Sequence, residues 1–219
     1  CTVAMRGAHR MNRLIQGDVG CGKTVVAAGA AWFVYKNGYQ SCVMAPTEIL
    51  AAQHYKTFKS LLEPLGVRVA LLTGSLTPKN KRVLKEQIAA GEFDVIVGTH
   101  ALFSESTHFS DLALVITDEQ HRFGVEQRAA LSAKGRNPHR LVMSATPIPR
   151  TLALILYGDL DISVINELPA GRKPISTYAV TGKMRERAFG FVKKQLEMGR
   201  QGYVVCPMID ESESDMNDV

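Results

Sequence analysis

Long apolar runs are missing from this chain of 219 residues. No stretch approaches the roughly 20 consecutive apolar residues of a membrane helix, so nothing in the sequence points to a bilayer. Residues 1–12 hold no apolar segment of the kind a secretory signal needs. The chain opens on Cys1 and not on Met, and it reads as a piece of a longer protein. Cysteine is scarce: Cys1, Cys21, Cys42 and Cys206 are scattered, without a Cys-x-x-Cys pair. That pattern argues against a structural zinc site and for a reducing cytoplasm. A Gly-x-Ser-x-Gly elbow is lacking, which leaves a serine hydrolase without support. Internal repeats and low-complexity tracts are lacking as well. Lys and Arg are absent from the last ten residues, which carry five acids and are expected to be disordered. Residues 1–209 set 26 basic side chains against 16 acids, a formal +10. Such a body suits a polyanionic partner such as nucleic acid, and equally a solvated basic surface.

What remains is ordinary for a soluble globular protein: 46% hydrophobic and 21% charged residues, enough for one domain or one and a part. Within it one stretch stands out. Gly17-Asp18-Val19-Gly20-Cys21-Gly22-Lys23-Thr24 fits the pattern Gly-x4-Gly-Lys-Ser/Thr at every fixed position. A short apolar strand over 13–16 precedes it, and an apolar helix over 25–35 follows, which is the context the motif requires. Its glycines let backbone N–H groups turn inward around a phosphate, and the helix N-terminus adds the positive end of its dipole. Lys23 would reach the β- and γ-phosphates of ATP, and the Thr24 hydroxyl would ligate Mg²⁺.

Further strands are expected over 41–45, 67–73, 94–97, 112–117, 140–143 and 162–165. Helices are expected over 48–62, from Pro78 to about Ala90, over 127–133, and from Pro147 to Tyr157. Short apolar strands alternating with helices describe an α/β fold, a parallel sheet covered on both faces. Ligands of such sheets bind beyond the carboxyl ends of the strands, where the polar turns of this chain gather. Residues 168–174 read as a linker. A strand over 175–180, a helix over 184–198 and a strand over 203–208 then form a lone β-α-β unit, which can bury little of its own sheet. The expected division is a domain over 1–169 and the opening of a second over 170–219.

Val115-Ile116-Thr117-Asp118-Glu119 is a hydrophobic strand ending in two acids. After a phosphate loop this is the expected place of the Mg²⁺-binding aspartate, Asp118. Glu119 would orient and deprotonate the attacking water. His121 has no second His or Cys at ligand spacing, so a coupling role fits it better than a metal site. Thr47, Thr99 and His100 sit in turns after strands, where N-cap and turn roles are open to them as well. The basic helix residues Lys79, Lys81, Arg82 and Lys85 read as a solvated face. Trp32, Phe33 and Tyr35 read as core.

With these residues on the page, a resemblance becomes specific. Asp118-Glu119-Gln120-His121 resembles the DExH box of superfamily-two helicases. Ser144-Ala145-Thr146 resembles their third motif, which links nucleotide state to nucleic-acid grip. Ala45-Pro46-Thr47-Glu48-Ile49-Leu50-Ala51 and Gly98-Thr99-His100 resemble their strand-contacting motifs. Gln16 to Gly20, Asp118 to Arg128 and Ala145 to Thr151 are similar to the RecG type of branched-DNA helicase. Mfd-type translocases share much of this but usually have Glu where this chain has Gln120.

The resemblance implies a RecA-like first motor domain and the start of a second. It implies a monomeric, ATP- and Mg²⁺-dependent machine in which DNA is gripped through its backbone by Thr47, Thr99 and His100. Coupling would fall to His121, Ser144 and Thr146. A non-catalytic nucleotide-dependent DNA-binding module and a small-molecule kinase are the alternatives. Intact Lys23, Asp118 and Glu119 speak against the first, and the Ser144 and Thr99 turns are left unexplained by the second. Cys21 stands where the family often has Ser, and Thr117 where it usually has an aliphatic residue. The family's adenine-reading glutamine is not recognisable in residues 1–12.

Overall fold

The computed structural model describes residues 1–7, 9–118, 135, 137–146, 160–167 and 175–205. The expected helices over 127–133 and 147–157, the linker and the acidic tail lie outside them. The chain divides into two compact units, Cys1–Arg172 and Lys173–Val219.

Unit one is built on seven strands: β1 (Asn12–Gly17), β2 (Gln40–Met44), β3 (Val69–Leu72), β4 (Val95–Gly98), β5 (Leu112–Asp118), β6 (His139–Ser144) and β7 (Asp161–Ile165). All neighbouring pairs are parallel, in the order β3-β4-β2-β5-β6-β1-β7. Parallel strands need crossovers, and here helices supply them. A short α1 (Thr2–Met5) precedes β1, α2 (Lys23–Lys36) follows it, α3 (Glu48–Leu62) follows β2, and α4 (Pro78–Ala89) follows β3.

Strand residues alternate between two faces, and the core divides accordingly. Ile15, Val43, Leu114, Ile116 and Leu141 pack with the buried residues of α2 and α3, among them Ala27, Ala31, Ala51 and Phe58. Cys42, Met44, Leu72, Ile96 and Val115 pack with Ile88 of α4 and with Leu102 on the other face. The central strands β2 and β4 are buried along their whole length, as a sheet covered on both sides requires. Alanines on α2 let that helix lie close to the sheet. Phe33 and Tyr35 pack against this core, but Trp32 is a surface residue, with the Lys36 ammonium 5.7 Å from its ring centre.

Local chemistry sets the element ends. Thr47 caps α3 by accepting from Leu50 N, and Thr77 caps α4 by accepting from Asn80 N, with Pro78 at the first helical position. Gln40 is buried at the start of β2 with all four hydrogen-bonding positions used. Its Nε2 donates to the carbonyls of Ile88 and Phe93, and its Oε1 accepts from Ser110 N and Asp111 N. One side chain thus ties two connections, the one from α4 to β4 and the one into β5, to the middle of the sheet. At the edge, Arg13 of β1 donates to Ser163 Oγ and Asp161 Oδ2 of β7.

The basic face of α4 is less free than the sequence suggests. Lys81 donates to the Gly74 carbonyl, and Lys85 donates to Ser104 Oγ and Ser106 Oγ. Burial and the neighbouring Lys81 push the Lys85 pKa down.

In unit two the helix forms, at Arg185–Glu197, after a 3₁₀ turn over Gly182–Met184. The strand expected over 175–180 does not, and neither does 203–205, the described part of the strand expected over 203–208. Residues 175–180 and 203–205 carry no strand pairing, and Ile175, Tyr178 and Val205 are 77%, 81% and 91% exposed. Apolar alternation proposes a strand, but only ladder partners and a covering layer make one.

Candidate active site

Because every strand runs the same way, all carboxyl ends share one rim. Going across the sheet, the rim carries the turn after β3, Thr99 and His100 after β4, Thr47 after β2, Asp118 at the end of β5, Ser144 to Thr146 at the end of β6, and the loop after β1. Gln16 of β1 lies in register with Ser144, and Asp118 with Met143. Only β6 separates β5 from β1, so Asp118 and the glycine loop stand about 10 Å apart in strand spacings.

The loop Gly17–Thr24 has the shape of a phosphate cradle. Gly20 and Gly22 sit at φ +81° and +96°, the left-handed region where a side chain would be strained. Gly22 is the N-cap of α2, and no side chain caps that helix end. Val25 N and Val26 N bond to the Gly22 carbonyl, and the N–H groups of Lys23 and Thr24, ahead of them in the first turn, have no partner within the helix. Gly17 is fixed by space: a Cβ there would lie 2.6 Å from Cys21 Sγ and 3.1 Å from Ile165 Cβ. The loop also holds itself. Lys23 Nζ donates to the carbonyls of Gly17 at 2.7 Å and Asp18 at 2.9 Å. Asp18 Oδ1 accepts from Val19 N, and the Asp18 carbonyl accepts from Cys21 N. Val19 and Gly20 are exposed at the tip, while Thr24 is half-buried in the first turn of α2.

Across the rim, Asp118 Oδ2 meets His54 Nε2 at 2.8 Å, both side chains being mostly buried. Ser144 is buried, and its Oγ lies 2.9 Å from Thr146 Oγ1 and accepts from Thr146 N. The two hydroxyls of that turn are therefore bonded to each other. Thr47 uses its hydroxyl as the α3 cap and is exposed. Thr99 is buried at 6% exposure, whereas His100 is exposed and packs against the Phe103 ring. Glu119 and His121 lie outside the described residues.

The donor set fits a nucleotide with its cation. An uncapped helix end and left-handed glycines suit an anion. Mg²⁺ is characteristically held by one or two protein oxygens together with phosphate oxygens, and Thr24 and Asp118 are such groups. Among the described residues no cluster of three or more His, Cys, Asp or Glu side chains could hold a metal without further ligands. A cavity of about 510 Å³, lined by Arg6, Phe33, Tyr39, Asn137 and His139 among others, opens at the amino ends of the strands, away from these groups.

Two contributors escape the sequence reading. His54 is the partner of Asp118, and Glu48 Oε1 accepts from Ser75 N, joining the start of α3 to the turn after β3. A signal for His54 does exist. It shares the buried face of α3 with Ala51, Phe58 and Leu62, and a buried polar side chain needs a partner.

A sequence model of the DEAD/DEAH box helicases matches residues 2–155. The chain belongs to this family. Within the DEAD/DEAH box helicases it is similar to the ATP-dependent DNA helicase RecG of Bacillus subtilis (strain 168), 55% identical over 212 residues, which cover 97% of this chain and 31% of that protein. RecG of Aquifex aeolicus (strain VF5) is 55% identical over 205 residues, covering 93% of this chain and 26% of the relative. The chain thus spans about a third or less of the curated relatives it matches. Among solved structures, a RecG bound to a three-way DNA junction superposes with a TM-score of 0.80 at 45% identity, over 94% of this chain and 28% of that one. The Hef helicase domain of Pyrococcus furiosus, 23% identical with a TM-score of 0.57 over 75% of this chain and 37% of that one, shares the fold. The seven-stranded parallel sheet is the RecA-like fold of helicase motor domains. Among the described residues no helix is long and apolar enough to cross a membrane.

Proposed function

We propose that this chain is the nucleotide-binding motor domain, with the opening of a second RecA-like domain, of an ATP-driven DNA translocase of the RecG type. It would act on branched DNA in repair and recombination, as a monomer in the cytoplasm. The observation that carries the reading is the cradle at Gly17–Thr24 sharing one rim with Asp118 and with the Ser144–Thr146 turn. Residues 1–169 would form the first domain and 170–219 the linker and start of the second.

ATP would bring a phosphoanhydride bond, and Mg²⁺ held by Thr24 and Asp118 would supply positive charge beside it. The protein's part is positioning. Backbone N–H groups of the loop orient the phosphates, and Lys23 leaves the carbonyls of Gly17 and Asp18 for phosphate oxygens. Thr24 and Asp118 hold the cation. Glu119 orients the water and takes its proton. The bonded pair Ser144 and Thr146, with His121, reports the state of that site to the DNA contacts. Those contacts, Thr47, Thr99 and His100, lie along the same rim, and the +10 body draws the DNA backbone to it. His100 offers the exposed imidazole of that set, and Thr99 can contribute only through its backbone or after rearrangement.

The test is ATP hydrolysis by the full-length protein with forked DNA, with linear duplex and without DNA. Stimulation that is greatest on the fork is the expected result. A rate indifferent to DNA overturns the reading.

A further inference from the structure

The contact that sequence reasoning missed leads beyond this reading. α3 begins directly after β2, and its first residues, Thr47, Glu48 and Ile49, are exposed on the rim. Seven residues on, about 10 Å along the helix axis, His54 turns inward and bonds Asp118 at 2.8 Å. The imidazole is locked there. It shares the buried face of α3 with Phe58, whose ring meets it edge-on at 6.4 Å and 77° and is itself fully buried. Asp118 is fixed in turn at the end of β5, which pairs with β2 in the register Met44 to Thr117. The strand that leads into α3 and the strand that carries the acid are therefore direct neighbours.

A carboxylate only accepts hydrogen bonds, so Nε2 carries the hydrogen. That bond occupies Oδ2 and restrains the carboxylate, whose Oδ1 would be the oxygen offered to a cation. We propose that His54 is a positioning residue that holds Asp118 for the metal and makes α3 a rigid link from the DNA-contacting turn at Thr47 to that acid. The proposal rests on the function given above for the loop and for Thr47. A displacement of α3 when its first turn grips a phosphate would be delivered to Asp118 through one hydrogen bond. Nothing softer intervenes, because the ring is packed against Phe58 and the helix is capped at Thr47. Partners behind a metal ligand typically matter by about 10- to 100-fold in metal affinity.

The experiment compares the full-length parent with His54→Leu and His54→Gln, the second keeping an N–H donor near the same place. ADP affinity is measured with Mg²⁺ and with chelator, and ATPase with and without forked DNA. The expected result for His54→Leu is a loss of about tenfold or more in ADP affinity with Mg²⁺, no change with chelator, and a smaller ratio of DNA-stimulated to basal rate. His54→Gln should recover much of both. Parental Mg²⁺ dependence, or a parental stimulation ratio, in folded His54→Leu overturns the proposal. Should that variant not fold, the ¹⁵N resonances of His54 in the parent decide. They should shift when Mg²⁺ joins bound ADP, and an unchanged imidazole overturns the link. A parent that binds no ADP fails the nucleotide reading itself, and this proposal with it.

Discussion

Lys23 is the side chain on which the proposed phosphate site would turn. Its ammonium is held by two loop carbonyls, and phosphate oxygens would replace them. A hydrogen bond to a charged group contributes about 1.5–3 kcal/mol. Lys23→Ala should therefore weaken ATP binding by roughly tenfold to a hundredfold, read by calorimetric titration. Affinity equal to the parent's would remove the loop from the mechanism. Glu119→Gln, made in the full-length protein, should keep ATP binding while hydrolysis falls by about 10²-fold or more, the scale of a lost general base. Turnover near the parent's would show that another group activates the water. At this scale the loop was legible because each of its positions answers a local demand of backbone or charge. His54 was not legible: one imidazole on an apolar helical stripe looks the same in sequence whether its partner is a carbonyl or a metal-binding acid.

Elements divide along a similar line. The bounds of α3, Glu48–Leu62, were readable because Pro46 ends the strand and Thr47 caps the helix. The strand expected over 175–180, and the described part, 203–205, of the one expected over 203–208, have no ladder, because alternation signals a face to be buried and not a partner to bury it. Phe58 shows what burial is worth to α3. It is fully buried, so Phe58→Ala should cost about 3–5 kcal/mol in urea unfolding, and it should also loosen His54. A loss under about 1 kcal/mol would mean that the α3 face is not packed as described.

His139, at the start of β6, gives this scale a pH dependence. Its Nδ1 accepts from Met11 N, which demands an unprotonated nitrogen, and burial, with Arg10 nearby, pushes its pKa below the usual 6.5. The unfolded chain then binds the proton more readily than the folded one. The stability linked to His139 is present above pH 6.5 and is lost as pH falls from there through the depressed folded value. His139→Gln, which can still accept from Met11, should flatten the fall in unfolding free energy between pH 7.5 and 5. An unaltered slope would assign that loss to other groups.

For the whole molecule, the sequence showed a parallel sheet with its polar turns on one rim, but not the order of the strands. From β1 the chain crosses two strand positions before laying down β2, and β7 closes on the far side of β1. Such long-range choices depend on which faces pack together and leave no local mark. The division of labour between units also belongs here. Phosphoryl transfer in this class needs positive charge at the γ-phosphate, usually from an arginine. In unit two, Arg185 lies over the Phe189 ring and Arg200 bonds Gln195, so each is engaged within its own unit. The 219-residue chain by itself should therefore hydrolyse ATP roughly 10³-fold more slowly than the full-length protein in the same DNA-stimulated assay. Equal rates would mean that Lys23, Asp118 and Glu119 suffice.

The grip of Lys23 on the carbonyls of Gly17 and Asp18 bears on how fast a nucleotide can be caught. In the proposed function, an arriving phosphate would meet a Lys23 already engaged. It would draw the ammonium away from two carbonyl oxygens that already accept from it, so capture would be an exchange of hydrogen-bond acceptors. The exchange would be the same for any phosphate tail, whatever base it carries. Discrimination among nucleotides would then fall to residues beyond Gly17–Thr24.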